Sequence, residues 1–270
     1  MKLKCITFSG ANEYTKLSDL EGVLVLHTEA GIQVSGKKAS FGTARYWWLH
    51  ALHARFGLLY SPHPNFALHL NQDWVEDFCD DNPPAELSTF LSWGAKYRRP
   101  FFERVQLNFR IGREKTPDLD RMLASMKKYP NVRFILSYND DNAEFINKLY
   151  DTGFKFDCLY DNSHGEGVEA SQYAPPAFDG VLQGYAGGIG PDNVTSVLNK
   201  ISQSLSAGRS YVDATGKLTS ISRQQEIFID AEGKLKGEDG HFSVEKCKAY
   251  LSAVFRLENT VFKFTNLKFD

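Results

Sequence analysis

Short apolar segments recur along the whole chain, and each is followed by a glycine, asparagine or aspartate and then by a more polar stretch. The segments are rich in Val, Ile, Leu and Phe and show little strict alternation, which is typical of parallel strands covered on both faces. The pattern therefore predicts eight strands, over residues 3–10, 22–31, 65–72, 104–110, 131–140, 154–163, 180–188 and 227–233.

Amphipathic helices are predicted between these strands, over residues 43–56, 73–79, 119–129, 143–153, 192–205 and 243–257. Alternating strands and helices favour a parallel sheet with right-handed crossovers, and a repeat of roughly 30 residues suits a (β/α)8 barrel. We therefore expect an α/β protein, a single TIM-barrel domain over residues 1–270 with elaborated loops after strands 2 and 3. An open doubly wound sheet is the main alternative, but its usual G-x-G-x-x-G is replaced by SGANEY after the first strand.

Two similar segments compete for the eighth strand. They are YVDATGKL at 211–218 and FIDAEGKL at 228–235. Only the second is followed by a good helix pattern, so strand 8 is expected at 227–233.

Composition and charge narrow the class of protein. With 42% hydrophobic residues and 13% aromatic residues, the chain can bury a core and should fold. The net charge of −2 provides no broad positive field, so nucleic acid is not an expected partner. Cys5, Cys79, Cys158 and Cys247 form neither a zinc spacing nor a disulfide framework. Without a secretory signal or an apolar run of membrane length, a cytoplasmic protein with no membrane partner is expected, and a homodimer is compatible with the sequence.

Polar side chains end most of the predicted strands, which predicts a polar mouth over an apolar barrel. In a barrel the active site lies at the carboxyl ends of the strands, so these residues are candidates for binding and chemistry, although each alone can also cap a helix or face solvent. The set comprises Ser9, Glu29, His69, Asn71, Gln106, Asn108, Ser137, Asp161, Ser163, Tyr185, Asp230 and Glu232. Lys38 and Arg45, after strand 2, are expected to bind a carboxylate or a second phosphate, or else to be solvated. His69 has no second histidine at metal spacing, so we assign no metal site and no cofactor.

A glycine-rich segment, GYAGGIGPDNV at 184–194, gives the strongest local signal. Adjacent glycines allow backbone N–H groups to approach an anion, and the following Pro-Asp-Asn indicates the start of a helix. The loop after strand 8 would face the same anion. Phosphate-binding positions are therefore predicted at Gly187, Gly188, Ile189, Ala231, Glu232 and Gly233. The alternative is a glycine-rich turn that serves only the strand-to-helix geometry.

These motifs carry a resemblance to a known family. GYAGGIGPDNV and IDAEGKL resemble the ends of strands 7 and 8 of phosphoribosylanthranilate isomerase, and LYDNSHGEG at 159–167 resembles its sixth strand. The resemblance implies a phosphate-binding barrel and cofactor-independent isomerisation, with Asp161 at the position of the general acid. Ser9 stands where the family has its general-base cysteine, and Cys5 lies four residues earlier. Glu29 is a candidate replacement base that would act with Asp161 across the mouth.

The functional hypothesis is an enzyme that binds a phosphorylated small molecule, a phosphosugar or ribonucleotide-like compound. It would isomerise or cleave this substrate by general acid/base catalysis with Asp161 and either Glu29 or Ser9. One alternative is a non-catalytic protein that binds or sequesters a phosphorylated metabolite or nucleotide. Another is a metal-assisted hydrolase, which would require Asp161, Asp230, Glu232 and His69 to converge.

Overall fold

The computed structural model describes residues 1–57, 64–94, 99–112, 115–161, 167–206, 209–212, 218–221 and 225–265. The strands are β1 (Lys2–Ser9), β2 (Thr28–Val34), β3 (Asn65–Asn71), β4 (Phe102–Asn108), β5 (Arg133–Tyr138), β6 (Asp157–Tyr160), β7 (Leu182–Tyr185), β8 (Arg209–Val212), β9 (Leu218–Ile221), β10 (Glu226–Ala231) and β11 (Lys263–Phe264). Strands β1 to β7 pair in order, and β10 pairs in parallel with both β7 and β1. The predicted (β/α)8 barrel is confirmed, with β10 as its eighth strand.

A short antiparallel hairpin, β8 with β9, precedes this closing strand. It accounts for the similarity between residues 211–218 and 228–235, since both regions contribute strand residues but only the second enters the barrel. The two-residue strand β11 pairs in parallel with Lys2 and Leu3, at the start of β1.

Helices cover the outside of the barrel. They are α1 (Leu17–Glu21), α2 (Gly36–Ala39), α3 (Ala44–Phe56), α4 (Asp73–Cys79), α5 (Ala85–Ser92), α6 (Leu119–Lys127), α7 (Ala143–Asp151), α8 (Val194–Ser206) and α9 (Val244–Phe255). The six predicted helices correspond to α3, α4 and α6 to α9. The elaborated loops after β2 and β3 contain the α2–α3 and α4–α5 pairs. None of the helices among the described residues is long and apolar enough to cross a membrane.

The position of strand 2 differs from the prediction. The apolar residues 23–26 form a turn whose Val25 and Leu26 side chains are 46% and 73% exposed. The hydroxyl of Thr28 closes this turn, because it donates to the carbonyl of Val25 at 2.7 Å and accepts from its N–H at 2.9 Å. The strand therefore begins at Thr28, and Glu29 lies near its start and not at its end.

The two sides of the barrel wall have different character. Residues pointing outward pack against the helices in one large apolar cluster, to which β1 contributes Ile6 and Phe8 and β2 contributes Ile32 and Val34. The inward side has only a small apolar cluster, made of Cys5, Ile135, Leu159, Leu182, Ala186 and Phe228. Most other inward positions are polar or charged, so the expected apolar barrel beneath a polar mouth is wrong.

Candidate active site

A cavity of about 720 Å³ opens at the carboxyl ends of the strands. Its size suits a small-molecule ligand, for which pockets of roughly 300–1,000 Å³ are usual. Most of the predicted site residues line it, namely Lys38, His69, Asn71, Gln106, Asn108, Ser137, Asp161, Gly187, Gly188, Ile189, Asp230, Glu232 and Gly233. The lining also includes Lys236, a basic residue of the predicted phosphate loop, and Gln33, Ser35, Arg110 and Asn139, which were not predicted as site residues.

The glycine loop after β7 has a backbone that requires glycine. Gly187 and Gly188 have φ values of +96° and +60°. A Cβ at Gly188 would lie 2.5 Å from the N of Glu169 and 2.6 Å from the O of Gly167, so the chain packs directly against this position. Asn193, just before α8, stabilises the loop, because its Oδ1 accepts from the N–H of Gly190 and its Nδ2 donates to the O of Gly188, both at 2.8 Å.

The loop after β10 forms a single 3₁₀ turn, Gly233–Leu235. Gly190 lies against the side chain of Lys234, so the loops after β7 and β10 are in contact. Gly233 has no positive φ, and a Cβ there would meet nothing within 4 Å. Both loops border the same cavity, as expected for the two phosphate-binding segments of a TIM barrel.

Ser9 and Asp230 form a hydrogen-bonded pair at the ends of β1 and β10. The Ser9 Oγ donates to Asp230 Oδ1 at 2.9 Å. Burial raises the pKa of Asp230 from 3.8 to about 7, although the Ser9 hydrogen bond acts in the opposite direction. A carboxyl group with this pKa can both accept and release a proton at neutral pH.

Gly31 brings His69 close to this pair. A Cβ at Gly31 would lie 2.6 Å from His69 Cε1 and 2.7 Å from its Nε2, and would also collide with Ser9 Oγ. The space that a side chain would occupy is therefore filled by the serine and the imidazole. Burial lowers the pKa of His69 to about 4, so its imidazole is neutral at physiological pH. Within the described residues, His69 Nε2 has no hydrogen-bond partner.

A chain of side-chain amides continues from His69 along β3 and β4. Gln106 Nε2 donates to Asn108 Oδ1 at 2.7 Å, and Asn108 Nδ2 donates to Asn71 Oδ1 at 2.9 Å. Asn71 Nδ2 in turn donates to the backbone O of His69 at 3.1 Å. In each of these hydrogen bonds the amide N–H is directed towards the next residue of the series. The amide oxygen at the start of the series, Gln106 Oε1, has no hydrogen-bond partner among the described residues.

Glu29 does not lie at the mouth, and its prediction as a catalytic base is wrong. Its carboxylate is fully buried below the cavity, where it accepts from Arg104 Nη2 at 2.6 Å and from Arg104 Nε at 2.9 Å. Thr7 Oγ1 also donates to it at 3.0 Å. Because its oxygens are bonded within the barrel and strand 2 begins later than predicted, Glu29 cannot reach a ligand at the strand ends.

The same ionic cluster crosses the lower half of the barrel. Arg104 Nη1 donates to Asp157 Oδ2 at 3.3 Å, and Arg133 Nε donates to Asp157 Oδ1 at 2.6 Å. The guanidinium of Arg104 also lies 4.2 Å from the ring centroid of Phe228. Arg104 and Asp157 were not among the predicted site residues, because they lie near the starts of their strands. Polar residues at every second position, as in Arg104, Gln106 and Asn108, are the signal that could have found this inward face.

Four other predicted residues are not among those that line the cavity. Ser9 is buried beside Asp230, to which it donates. Tyr185 points outward, fully buried, and its hydroxyl donates to the O of Ala174 at 2.8 Å. Arg45, in α3, donates to the carboxylate of Glu13 and to the O of Gln33, and so supports the loop after β2. The side chain of Ala231 belongs to the outer apolar cluster, and the predicted residue Ser163 lies outside the described residues.

Cys5 and Glu232 have surroundings that limit their roles. Cys5 is buried in the inner apolar cluster, and burial raises the pKa of its thiol, so it is not a reactive thiolate.

Glu232 lines the cavity, where its carboxylate accepts from Gln33 at 2.6 Å and pairs with Lys236 at 3.2 Å. Among the described residues, no group of three or more His, Cys, Asp and Glu side chains is arranged to hold a metal ion, so the hydrolase alternative gains no support.

Comparison with solved structures finds phosphoribosylanthranilate isomerases. TrpF from Jonesia denitrificans is 12% identical, with a TM-score of 0.53 over 93% of this chain and 96% of that chain. The isomerase from Thermus thermophilus is 16% identical, with a TM-score of 0.51 over 94% and 100% of the two chains. The isomerase from Thermotoga maritima is 11% identical, with a TM-score of 0.52 over 95% and 100%.

No family model matches the sequence, and no curated protein matches it. At 11–16% identity the structural likeness concerns the fold alone. The chain has a phosphoribosylanthranilate isomerase-like barrel, and to that extent the resemblance in the sequence is confirmed.

Proposed function

We propose that this protein binds a phosphosugar or ribonucleotide-like compound at the mouth of the barrel and isomerises or cleaves it by general acid/base catalysis. One observation carries the proposal. The glycine loop after β7 and the 3₁₀ turn after β10 contact each other and border the same cavity as Asp161 and Asp230. Phosphate-binding loops and proton-transferring groups would therefore act on one ligand.

The phosphate end of the ligand would lie against these two loops. Gly187 and Gly188 line the cavity, and the loop leads directly into α8, whose N-terminal N–H groups favour an anion. Asn193 holds the loop in this shape before any ligand arrives. Preformed backbone donors lower the ordering cost of binding, which favours affinity for phosphate.

Asp161 and Asp230 are the candidate acid and base. Asp161 directly follows β6, lines the cavity and corresponds, through the sequence resemblance, to the family's general acid. Ser9 occupies the position of the family's cysteine, and its hydroxyl is hydrogen-bonded to Asp230. We assign proton acceptance to Asp230, because its pKa of about 7 is matched to neutral conditions and a serine hydroxyl alone is a weak base. Ser9 would then position that carboxylate.

The test is turnover by the wild type and by Asp161→Asn. Incubation with phosphosugar and nucleotide pools should identify a compound that the wild type converts, and Asp161→Asn should reduce that turnover by ~100-fold or more while ligand affinity stays similar. The matched control is Asp179→Asn, which alters an exposed carboxylate that does not line the cavity. Equal turnover in wild type and Asp161→Asn would exclude Asp161 as the acid. Phosphosugar binding without any turnover would instead indicate a sequestering protein.

A further inference from the structure

Three buried polar atoms of cavity-lining residues have no hydrogen-bond partner among the described residues, namely Oγ of Ser35, Nε2 of His69 and Oε1 of Gln106. Two of them lie on neighbouring strands, on His69 and Gln106, whose side chains are 2% and 6% exposed. His69 and Gln106 are register partners on the adjacent strands β3 and β4, and both line the cavity. Because buried polar atoms are nearly always hydrogen-bonded, two such atoms side by side in a cavity indicate a ligand contact.

The amide chain determines what Gln106 can bind. The Gln106 Nε2 already donates to Asn108, and the donors that follow are directed to Asn71 and then to the backbone of His69. The unpartnered atom is therefore the carbonyl oxygen, which can only accept a hydrogen bond. A ligand group at this position must supply an O–H or N–H.

His69 complements this requirement. Its imidazole is neutral, since burial lowers its pKa to about 4, and the ring is held beside Gly31 and Ser9. A neutral imidazole nitrogen makes one hydrogen bond, as donor or as acceptor according to its tautomer. A hydroxyl can bond to both atoms, whereas a carboxylate has no proton to donate to Gln106 and would meet its partial negative charge.

The location of these atoms relates them to the phosphate loops. In the closed strand order, β3 lies four strands from β7, and β4 lies four strands from β10. The His69–Gln106 pair therefore faces the phosphate loops across the mouth. A ligand whose phosphate lies against those loops would direct its opposite end towards this pair.

We propose that His69 Nε2 and Gln106 Oε1 bind a hydroxyl group at the end of the ligand remote from its phosphate. The substrate class is then a phosphorylated polyol or open-chain sugar, not a phosphate ester that ends in an aryl carboxylate. The placement of the phosphate in this inference rests on the proposed function. The assignment of the hydroxyl-binding pair rests instead on the two unpartnered atoms and the amide hydrogen bonds beside them.

The first arm of the experiment varies the ligand and uses the wild-type chain. Calorimetry compares ribitol 5-phosphate with pentyl phosphate, which has the same chain length without the hydroxyls, and with 5-phosphooxypentanoate, which ends in a carboxylate. Ribitol 5-phosphate should bind at least ~10-fold more tightly than either, since only the polyol can supply a partner to both buried atoms. Equal affinity for ribitol 5-phosphate and pentyl phosphate would overturn the inference.

The second arm varies the protein. His69→Phe and Gln106→Met remove the two atoms, and each should abolish most of the preference for ribitol 5-phosphate over pentyl phosphate. Affinity for inorganic phosphate, which reaches only the loops, should stay unchanged. If a variant lost the same factor of affinity for ribitol 5-phosphate and for pentyl phosphate, the inference would be contradicted. If a variant fails to fold by circular dichroism, the wild-type ligand series still decides.

The remaining outcome separates this inference from the proposed function. If the wild type binds none of the phosphate probes, the phosphate site has failed, and free ribitol and pentan-1-ol are then compared by thermal shift. A higher Tm with ribitol, lost in Gln106→Met, supports the hydroxyl-binding pair without the phosphate. No shift with ribitol in the wild type overturns it.

Discussion

Asp230 shows how burial at one residue links the mouth of the barrel to pH. Burial raises the pKa of this carboxyl group from 3.8 to about 7, so the folded chain binds a proton there more tightly than the unfolded chain does. Between these two values the folded state holds more protons at Asp230. Its contribution to the free energy of unfolding therefore falls as pH rises through this range, and it is level above pH 7 or so.

Asp230→Asn should remove this dependence. Relative to the wild type, we expect the variant to gain stability steadily between about pH 4 and pH 7, by up to about 4 kcal/mol, because each pKa unit corresponds to ~1.4 kcal/mol. The lowered pKa of His69 gives an opposite slope below neutral pH, but it is present in both proteins and cancels in the difference. Urea unfolding across this pH range measures the effect. Parallel stability curves for the two proteins would show that Asp230 titrates normally.

The position of single residues was predicted correctly where the end of the strand was correctly located. His69, Asn71 and Gln106 line the cavity as expected, because β3 and β4 were predicted nearly in place. Glu29 failed, because the strand was taken to begin at residue 22. In the turn before the strand, His27 has a φ of +67°. A positive φ is uncommon for histidine, so the sequence does not indicate this turn.

At the scale of elements, the two loops that approach each other at Gly190 and Lys234 offer a clean test of anion binding. Gly188 is unsuitable, because any side chain there would collide with the backbone at 167–169 and unfold the loop. Gly233 is suitable. It lines the cavity, its φ is not positive, and a side chain there would enter open space.

Gly233→Asp and Gly233→Asn have nearly the same shape and differ in charge. The aspartate should weaken binding of inorganic phosphate by ~10-fold or more relative to the asparagine, because it brings a like charge to the anion. Calorimetry on both folded variants and the wild type measures this difference. Identical phosphate affinity in the two variants would mean that the anion does not bind at this loop.

Most of the longer helices were predictable, and the shortest ones were not. The six predicted helices carry about two or more turns of apolar periodicity, and they appear close to their expected limits. Helices α1 and α2, of five and four residues, are too short for such a period, as is the 3₁₀ turn at 233–235. The eight-residue α5 was also missed. It begins immediately after Pro83-Pro84, which marked the segment as a loop.

At the scale of the whole molecule, the barrel is stabilised from the inside by ions as well as from the outside by apolar packing. Arg104, Glu29 and Asp157 are all fully buried, and they come from strands β2, β4 and β6. Even-numbered strands of a TIM barrel contribute to the same interior layers, which explains why side chains from strands that are not neighbours meet.

Arg104→Met should therefore destabilise the protein by roughly 3–5 kcal/mol, because it leaves the buried carboxylate of Glu29 without its guanidinium partner. Arg104→Met combined with Glu29→Gln should cost less than the sum of the two single changes, since the double variant removes both charges. The exposed pair of Arg55 and Glu21 provides the control, and Arg55→Met should cost less than about 1 kcal/mol. Urea unfolding of the four variants measures this. Additive losses would contradict the coupling.

The overall topology was predicted from the sequence, whereas the polar interior was missed, although the alternation of Arg104, Gln106 and Asn108 in β4 indicated it. Apolar runs separated by helices are sufficient to indicate a (β/α)8 barrel, because the outward face of each strand carries most of the apolar residues. The inward face was expected to be apolar, as barrel cores usually are. Alternating polar residues such as Thr7 and Ser9 gave the contrary signal, but a single pair of this kind in a run of apolar residues does not distinguish an inward face from an outward one.

The ionic cluster is distributed evenly between the two halves of the barrel, which bears on whether the barrel can be assembled from two fragments. Glu29 and Arg104 both belong to the first four strands, and Arg133 and Asp157 both belong to the second four. A chain cut between β4 and β5 would give two half-barrels that each retain one carboxylate and one guanidinium of the cluster, so the charges of the cluster would be balanced within each fragment. The ion pair between Arg104 and Asp157 would then join the two fragments inside the barrel.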